Sequence, residues 1–474
     1  MTNNYQIAPF LYDSFGEQVL LTNDAGRFIF LTENHFADFV KGQLPLEDSP
    51  LPELLNRGFA YAGAKQVYLD TWVPIVRQRK ACHFSGTQLF ILVLTTACNQ
   101  RCVYCQASAG VQAHYMHWDI ARMAIDMAYQ SPAANITLEF QGGEPTLNDS
   151  VLRKSICYAQ EKQEYEDKEL ALSLVTNLTQ VNTEQMDWLL TRGVSICTSL
   201  DGSAVVYNKN RPMHDASDSY SRFLKGAQEY RKLCEKHNLP STIQAIQTTT
   251  RYALQDPRDV VNAYRDWGID SLYIRPLTPL GFAATRWSQI GYTPEEFLAY
   301  YCHLIRYLLE LASQGISMRE TTATLFLKRI LTDDAVGHTE YRSPCGAGIG
   351  QMAIQYNGDV YPCDEARMLD GDGSRLFRMG SVKETYRELI SSPVVHATCL
   401  ASCIEGLPGC CDCVYQPFCA ACPVVTYGVE QSLIPRRPTA FHCAISKGIL
   451  QFLFSLIHDG DTETMNTLRE WTLC

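Results

Sequence analysis

The sequence has little of what would place a protein in a membrane, outside the cell or on nucleic acid. Its start, MetThrAsnAsnTyrGlnIleAlaProPhe, shows no basic segment followed by an apolar one, so no secretory signal is read there. The longest apolar stretches, such as Gly448 to Ile457, are too short to span a bilayer. Basic charge is in deficit: 40 Lys and Arg stand against 51 Asp and Glu, a formal net charge of −11, which argues against a nucleic-acid partner. No repeat or low-complexity tract is visible, which excludes a solenoid. These readings predict a soluble cytoplasmic protein that engages neither membrane nor nucleic acid. With 474 residues, 46% of them hydrophobic, the chain is long and apolar enough for two or three packed domains.

What the chain has in quantity is cysteine, nineteen in all. In a cytoplasmic protein that number points to metal sites rather than to a disulfide framework. Three of them, Cys98, Cys102 and Cys105, follow the apolar run Leu89 to Leu94 with the spacing C-x3-C-x2-C. Three thiolates on one tight loop can hold three corners of a [4Fe–4S] cube and leave the fourth iron open to a substrate. The alternatives are a zinc site or three reduced core cysteines. Zinc wants a fourth Cys or His at comparable spacing, and this loop has none.

With Tyr104 just before the third cysteine, the loop resembles the signature of the radical SAM superfamily. The resemblance implies that the open iron chelates the amino and carboxylate groups of S-adenosylmethionine (SAM), and that reductive cleavage releases a 5′-deoxyadenosyl radical. Residues 86 to 285 alternate strand and helix as such a core requires. Strands are predicted at Leu89–Thr95, Asn135–Gln141, Ala171–Val175, Val194–Leu200, Ile243–Thr248 and Ser271–Arg275. Helices are predicted at Asp119–Tyr129, Glu184–Leu190, Tyr220–His237 and Pro257–Trp267. Alternation of this kind makes βαβ units and a parallel sheet, here a partial (β/α)6 TIM-like barrel with its ligands at the carboxyl ends of the strands.

Further segments fall at that same end. Gly142-Gly143-Glu144-Pro145 matches the family's GGEP motif, in which glycines let backbone approach the ligand and an acceptor holds the methionine ammonium. Thr176-Asn177 matches the ribose-binding position, and Ser199 precedes Asp201-Gly202 in a SerLeuAspGly segment common in peptide-modifying members. Arg211 is the nearest match to the arginine that takes the SAM carboxylate; the alternative is a solvated loop arginine.

Two flanking regions complete the expected α/β architecture. Residues 1–85 hold short β-rich runs, Gln18–Thr22 and Arg27–Leu31, joined by AsnAspAlaGly, then helices at Glu33–Lys41 and around Leu51–Arg57. The order resembles the winged-helix RiPP recognition element, which grips the leader of a ribosomally made peptide by strand addition; a plain N-terminal cap is the alternative. After a helical linker, 286–340, residues 341–445 carry Cys345-x12-Gly358-x4-Cys363, then Cys410-x2-Cys413-x5-Cys419-x2-Cys422, then Cys443. This resembles the SPASM domain, apart from two residues rather than three before Cys422. The resemblance implies an inner cluster on Cys345, Cys363 and Cys422, with Cys399 or Cys403 as a fourth ligand or an iron open to substrate. It implies an outer cluster on Cys410, Cys413, Cys419 and Cys443. A pair of zinc ribbons is the alternative. Asp364, directly after Cys363, stands where sulfatase-maturating relatives have an Asp taken to accept the substrate proton; a turn-capping role is the alternative. Cys82, Cys157, Cys197, Cys234, Cys302 and Cys474 match no motif, and residues 446–474 form a helical tail.

Taken together the chain resembles radical SAM/SPASM peptide maturases, in particular His-Xaa-Ser system maturases and, next, darobactin-type synthases. That resemblance implies three [4Fe–4S] clusters, SAM, a precursor peptide bound through its leader, an electron donor such as flavodoxin or ferredoxin, and a side-chain cross-link (C–C or C–O) as the product. A sulfatase-type formylglycine maturase and a non-catalytic zinc or iron-sulfur adaptor are the other readings.

Overall fold

The computed structural model describes residues 5–47, 49–240, 243–370, 375–437 and 440–473. Cys474, one of the unmatched cysteines, lies outside them. At the N-terminus, β1 (Gln6–Ile7) is followed by a three-stranded antiparallel meander, β2 (Leu11–Phe15), β3 (Gln18–Thr22) and β4 (Phe28–Thr32). Gly26 supplies the positive φ of 72° that the β3–β4 turn needs. Helices Glu33–Val40 and Leu51–Asn56 follow, then β5 (Ala60–Tyr61), which pairs with β1. Two elements of this module were not legible in the sequence. The three central residues of β2 are exposed, so the strand shows no apolar alternation. The helix Lys65–Arg79 buries no residue fully and carries Pro74 inside it, so it has no apolar stripe to read.

The module does not stand apart. The Thr22 hydroxyl donates to the Val414 carbonyl at 2.6 Å. Phe28 and Phe30 meet Phe454 edge-on, with ring centroids 5.2 and 6.3 Å apart. Arg27 pairs with Asp333 at 2.8 Å. In the sheet order β2-β3-β4, both β2 and β4 are edges.

Six parallel strands then match the predicted run closely: β6 (Leu89–Thr95), β7 (Asn135–Gly142), β8 (Glu169–Val175), β9 (Val194–Ser199), β10 (Gln244–Thr248) and β11 (Ser271–Arg275). All but the first residue of β6, LeuPheIleLeuValLeuThr, are buried, the pattern of a central parallel strand covered on both faces. The sheet is larger than the expected barrel. β12 (Arg319–Glu320) extends it beside β11. On the other side β13 (Gln351–Ile354), from the third region, pairs in parallel with β6, Gln351 against Leu89, and leads to β14 (Asp359–Tyr361) and β15 (Gly380–Ser381). The ten strands lie in one sheet, so the cysteine-rich region grows directly out of the barrel edge next to the first cysteine loop.

Among the described residues one helix, Phe441–Asp459, is long and apolar enough by composition to cross a membrane. Its Ile445, Ile449, Leu450, Leu453 and Phe454 are buried, and it packs along the helix Pro294–Ser313. Gly448 permits that approach: a Cβ there would lie 2.3 Å from a methyl of Leu298.

Candidate active site

The carboxyl ends of β6 to β11 open into one cavity of about 410 Å³. Its wall contains Cys98, Cys102 and Cys105, with Tyr104, Gly142, Gly143, Thr176, Asn177, Ser199, Arg211 and Asp364, so almost every residue singled out in the sequence meets at one place. The cysteine loop is held on both flanks. Arg101 and Val103 donate their backbone N–H groups to Pro212 and Asn210 at 2.8 Å each, and Phe282 donates to the Cys105 carbonyl at 3.0 Å. The two glycines lie flat against the loop. A Cβ on Gly143 would sit 2.1 Å from the Ala97 carbonyl oxygen, and one on Gly142 would sit 2.3 Å from that of Thr95.

The three thiols fit an iron-sulfur cluster. Burial pushes the Cys98 thiol up to about 12, with Glu144 and Cys105 adding to the shift, and it raises Cys102 further. Such thiols stay protonated until a cation takes the proton's place, which cluster irons do. Cys98, Cys102 and Cys105 feel one another's charge in the same cavity. Among the described residues no three His, Cys, Asp or Glu side chains are spaced for a single metal ion.

Glu144 and Arg211 each have protein partners of their own. Glu144 is fully buried and is not part of the cavity wall. Its carboxylate accepts from the Thr146 and Thr176 hydroxyls at 2.6 and 2.8 Å and from the Asn177 backbone N–H at 2.9 Å. Glu144 fastens the ends of β7 and β8 together, and its Oε2 takes one protein donor, the Asn177 N–H. Arg211 is no solvated loop residue: it is 6% exposed. Its guanidinium gives two bonds to Asp201, at 2.9 and 3.2 Å, and lies over the Tyr104 ring at 5.2 Å. Asp201 also accepts from the Tyr104 hydroxyl at 2.8 Å and from Asn210 at 3.1 Å. The arginine expected to meet a carboxylate already has one. We expect Asp201→Ala to destabilise the apoprotein by about 3–5 kcal/mol, the cost of stranding a buried charge. Denaturant unfolding under anaerobic conditions checks this, and a loss below about 1 kcal/mol would mean that the pair is solvated.

Several cavity residues were missed by sequence reasoning. Glu139 and Gln141 share one face of β7, opposite buried Leu138 and Phe140, a period-two signal present in the sequence. The third region contributes Glu340, Glu365 and Arg367. Asp364 accepts from Arg367 at 2.6 Å. Arg275, at the end of β11, donates to Glu340 at 3.0 Å and to Glu365 at 3.3 Å. Burial, with Glu340 nearby, pushes Glu365 up to about 7.

Behind this wall is a second cavity, about 60 Å³, lined by Cys345, Cys363 and Cys422 and sharing Arg275, Glu340, Gln351 and Glu365 with the first. Neither Cys399 nor Cys403 lines it. The helix Pro393–Ser402 turns Ser402 instead toward Cys345, whose N–H donates to the Ser402 hydroxyl at 3.0 Å, while the Cys403 thiol faces Glu405 at 3.4 Å. The expectation that one of them completes the inner set is corrected on that geometry. Cys410, Cys413 and Cys419 are each raised by burial and by the nearby Cys443, so the outer four do come together. Arg437, also missed, sits among them and is itself raised by Cys443, Cys410 and Cys419.

Comparison with known proteins now has a site to attach to. Residues 92–274 match the radical SAM superfamily. This stretch is a radical SAM domain. Such a domain works with SAM and a [4Fe–4S] cluster, and the chain is an enzyme. The cysteine-type anaerobic sulfatase-maturating enzyme of Clostridium perfringens is 22% identical over 318 residues, 65% of this chain and 81% of that one. An uncharacterized protein of Archaeoglobus fulgidus is 22% identical over 385 residues, 78% of this chain and 82% of that one. Among solved structures, native anSMEcpe with bound AdoMet superposes with a TM-score of 0.66 at 19% identity, covering 81% of this chain and 99% of that one. Streptococcus suis SuiB bound to precursor peptide SuiA gives 0.55 at 14% identity, covering 92% and 99%. These likenesses are of fold, and both extend beyond the radical SAM domain into the third region.

Proposed function

We propose that this enzyme matures a ribosomally synthesised peptide, held through its leader, by installing a C–C or C–O cross-link between side chains. The observation that carries the reading is the groove beside β4. This edge strand and the helix Lys65–Arg79 line a cavity of about 630 Å³ with Phe28, Phe30 and Trp72 on its apolar side. Arg27, Arg57 and Arg469 line it too, Arg27 paired with Asp333 at 2.8 Å and Arg57 with Glu53 at 2.9 Å, and among the described residues no carboxylate is in its wall. An extended segment with acidic and apolar residues fits such a groove by strand addition. SuiB, crystallised with a precursor peptide, matches this chain over 92% of its length, which supports a peptide as the bound partner.

When bound, SAM and its cluster supply a 5′-deoxyadenosyl radical that takes a hydrogen atom from an unactivated carbon. Cys98, Cys102 and Cys105 would hold the cluster, and the flat Gly142–Gly143 backbone, Thr176, Asn177 and Ser199 would hold SAM. Asp364 and Glu365 stand on the wall toward the third region, where a carboxylate can accept the proton released as the new bond forms. Cys345, Cys363 and Cys422 with Cys410, Cys413, Cys419 and Cys443 would hold two further clusters, which supply a sink for the remaining electron. A flavodoxin- or ferredoxin-like donor and a cytoplasmic setting suit the free thiols found at all the described cysteines. The second reading, a formylglycine-forming maturase, is favoured by one feature, Asp364 next to Cys363.

The groove gives the test. Because Phe28 and Phe30 pack on Phe454, deleting the module would strip a folded interface, so point changes are preferred. Arg57→Glu with Arg469→Glu should weaken binding of a candidate precursor peptide at least about tenfold, equivalent to about 1.4 kcal/mol. SAM cleavage without peptide should stay at the wild-type rate. Unchanged affinity would leave the module a structural cap.

A further inference from the structure

The inner cysteine cavity provides three thiols and needs a fourth group if its cluster is to be closed. We infer that His442 is that group. The inference rests on reading the third region as cluster-binding, but not on what the substrate is.

His442 lines the same cavity as Cys345, Cys363 and Cys422. It begins the long helix Phe441–Asp459, whose next residue, Cys443, belongs to the outer four. Adjacent residues on a helix project about 100° apart, so one turn can serve two neighbouring sites. Other ligand-type side chains in the cavity are engaged. Glu340 and Glu365 are both held by Arg275, at 3.0 and 3.3 Å. Cys399 and Cys403 are not in the cavity wall. Among the described residues the His442 ring makes no hydrogen bond, although it is partly buried and the hydrogen bonds of its neighbours are accounted for. An imidazole lining one cavity with three thiols, with no hydrogen bond on its ring nitrogens among the described residues, is a cluster-ligand set in which nitrogen replaces one sulfur.

The exchange has an electronic consequence. A neutral imidazole in place of a thiolate removes one negative charge from the cluster, and histidine ligation raises the potential of iron-sulfur centres. The inner cluster, next to the radical cavity, becomes the better electron acceptor of the two.

The test is spectroscopic. The holoenzyme carrying Cys98→Ala, Cys102→Ala and Cys105→Ala, reconstituted without SAM and reduced, should show a nitrogen hyperfine coupling in pulsed EPR that changes when histidine is labelled with ¹⁵N. His442→Cys should keep the inner cluster's iron, abolish that coupling and lower the cluster's reduction potential. A reduced inner cluster with no ¹⁵N-sensitive coupling, or a coupling that survives in His442→Cys, overturns the assignment. Peptide modification by a wild-type enzyme lacking the coupling would leave the proposed function standing while removing His442 from the ligand set.

Discussion

Replacing Cys98, Cys102 and Cys105 together by Ala should leave a folded protein that has lost one cluster's worth of iron and all SAM cleavage. The fold should survive because the loop is fastened by backbone, not by its thiols. Its N–H and C=O groups bond to residues 210–214 on one side and to Phe282 on the other. The activity should not survive, because no other thiol lines the cavity except Cys197, which is buried alone on β9. On the proposed count of three clusters in the wild type, the variant should keep about two-thirds of the iron after anaerobic reconstitution. Iron analysis and 5′-deoxyadenosine yield read the two effects separately. Cleavage at the wild-type rate would remove the radical site from this cavity, whatever the iron content.

Asp364→Asn should uncouple radical formation from product. The amide fills the same space and can still face Arg367, now 2.6 Å from the carboxylate, but it accepts no proton at neutral pH. Loss of one general base costs about 10²–10⁴-fold in rate, so modified peptide should fall by that factor while 5′-deoxyadenosine continues to form. The structure supplies a rival. Glu365, one residue on, is pushed up to about 7 by its burial, the range in which a carboxylate both takes and releases protons near neutrality. If Asp364→Asn makes product at the wild-type rate and Glu365→Gln does not, the proton goes to Glu365.

The sequence exposed this site better than it exposed the substrate-binding parts. The parallel strands were legible almost to the residue, since Leu89–Thr95 and its partners are continuous apolar runs with helices between them. The cysteine sets were legible because spacing on a loop is a local property. What stayed hidden depends on distant pairing. Nothing in the local pattern of Gln351–Ile354 says that it joins β6 and so brings Glu340, Asp364 and Glu365 against the barrel mouth. The role of Glu144 turned on Thr176 and Asn177, some thirty residues away. A solvated loop arginine stayed open as the alternative for Arg211 because its partner, Asp201, is ten positions back across a helix. The helix Lys65–Arg79, whose Trp72 lines the cavity beside β4, carries no apolar stripe and gave no signal at all.

Under the proposed function, radical chemistry in the cavity of β6 to β11 joins two side chains of a peptide. Its most direct test is mass spectrometry of a candidate precursor peptide, incubated anaerobically with SAM, a reductant and either the wild-type enzyme or the Cys98/Cys102/Cys105→Ala variant. The account predicts that the wild type returns a peptide lighter by two hydrogens, unreactive toward aldehyde reagents and joined between two side chains on fragmentation, while the variant returns it unchanged. A peptide left intact by the wild type while 5′-deoxyadenosine accumulates, or one carrying a reactive aldehyde, would contradict it.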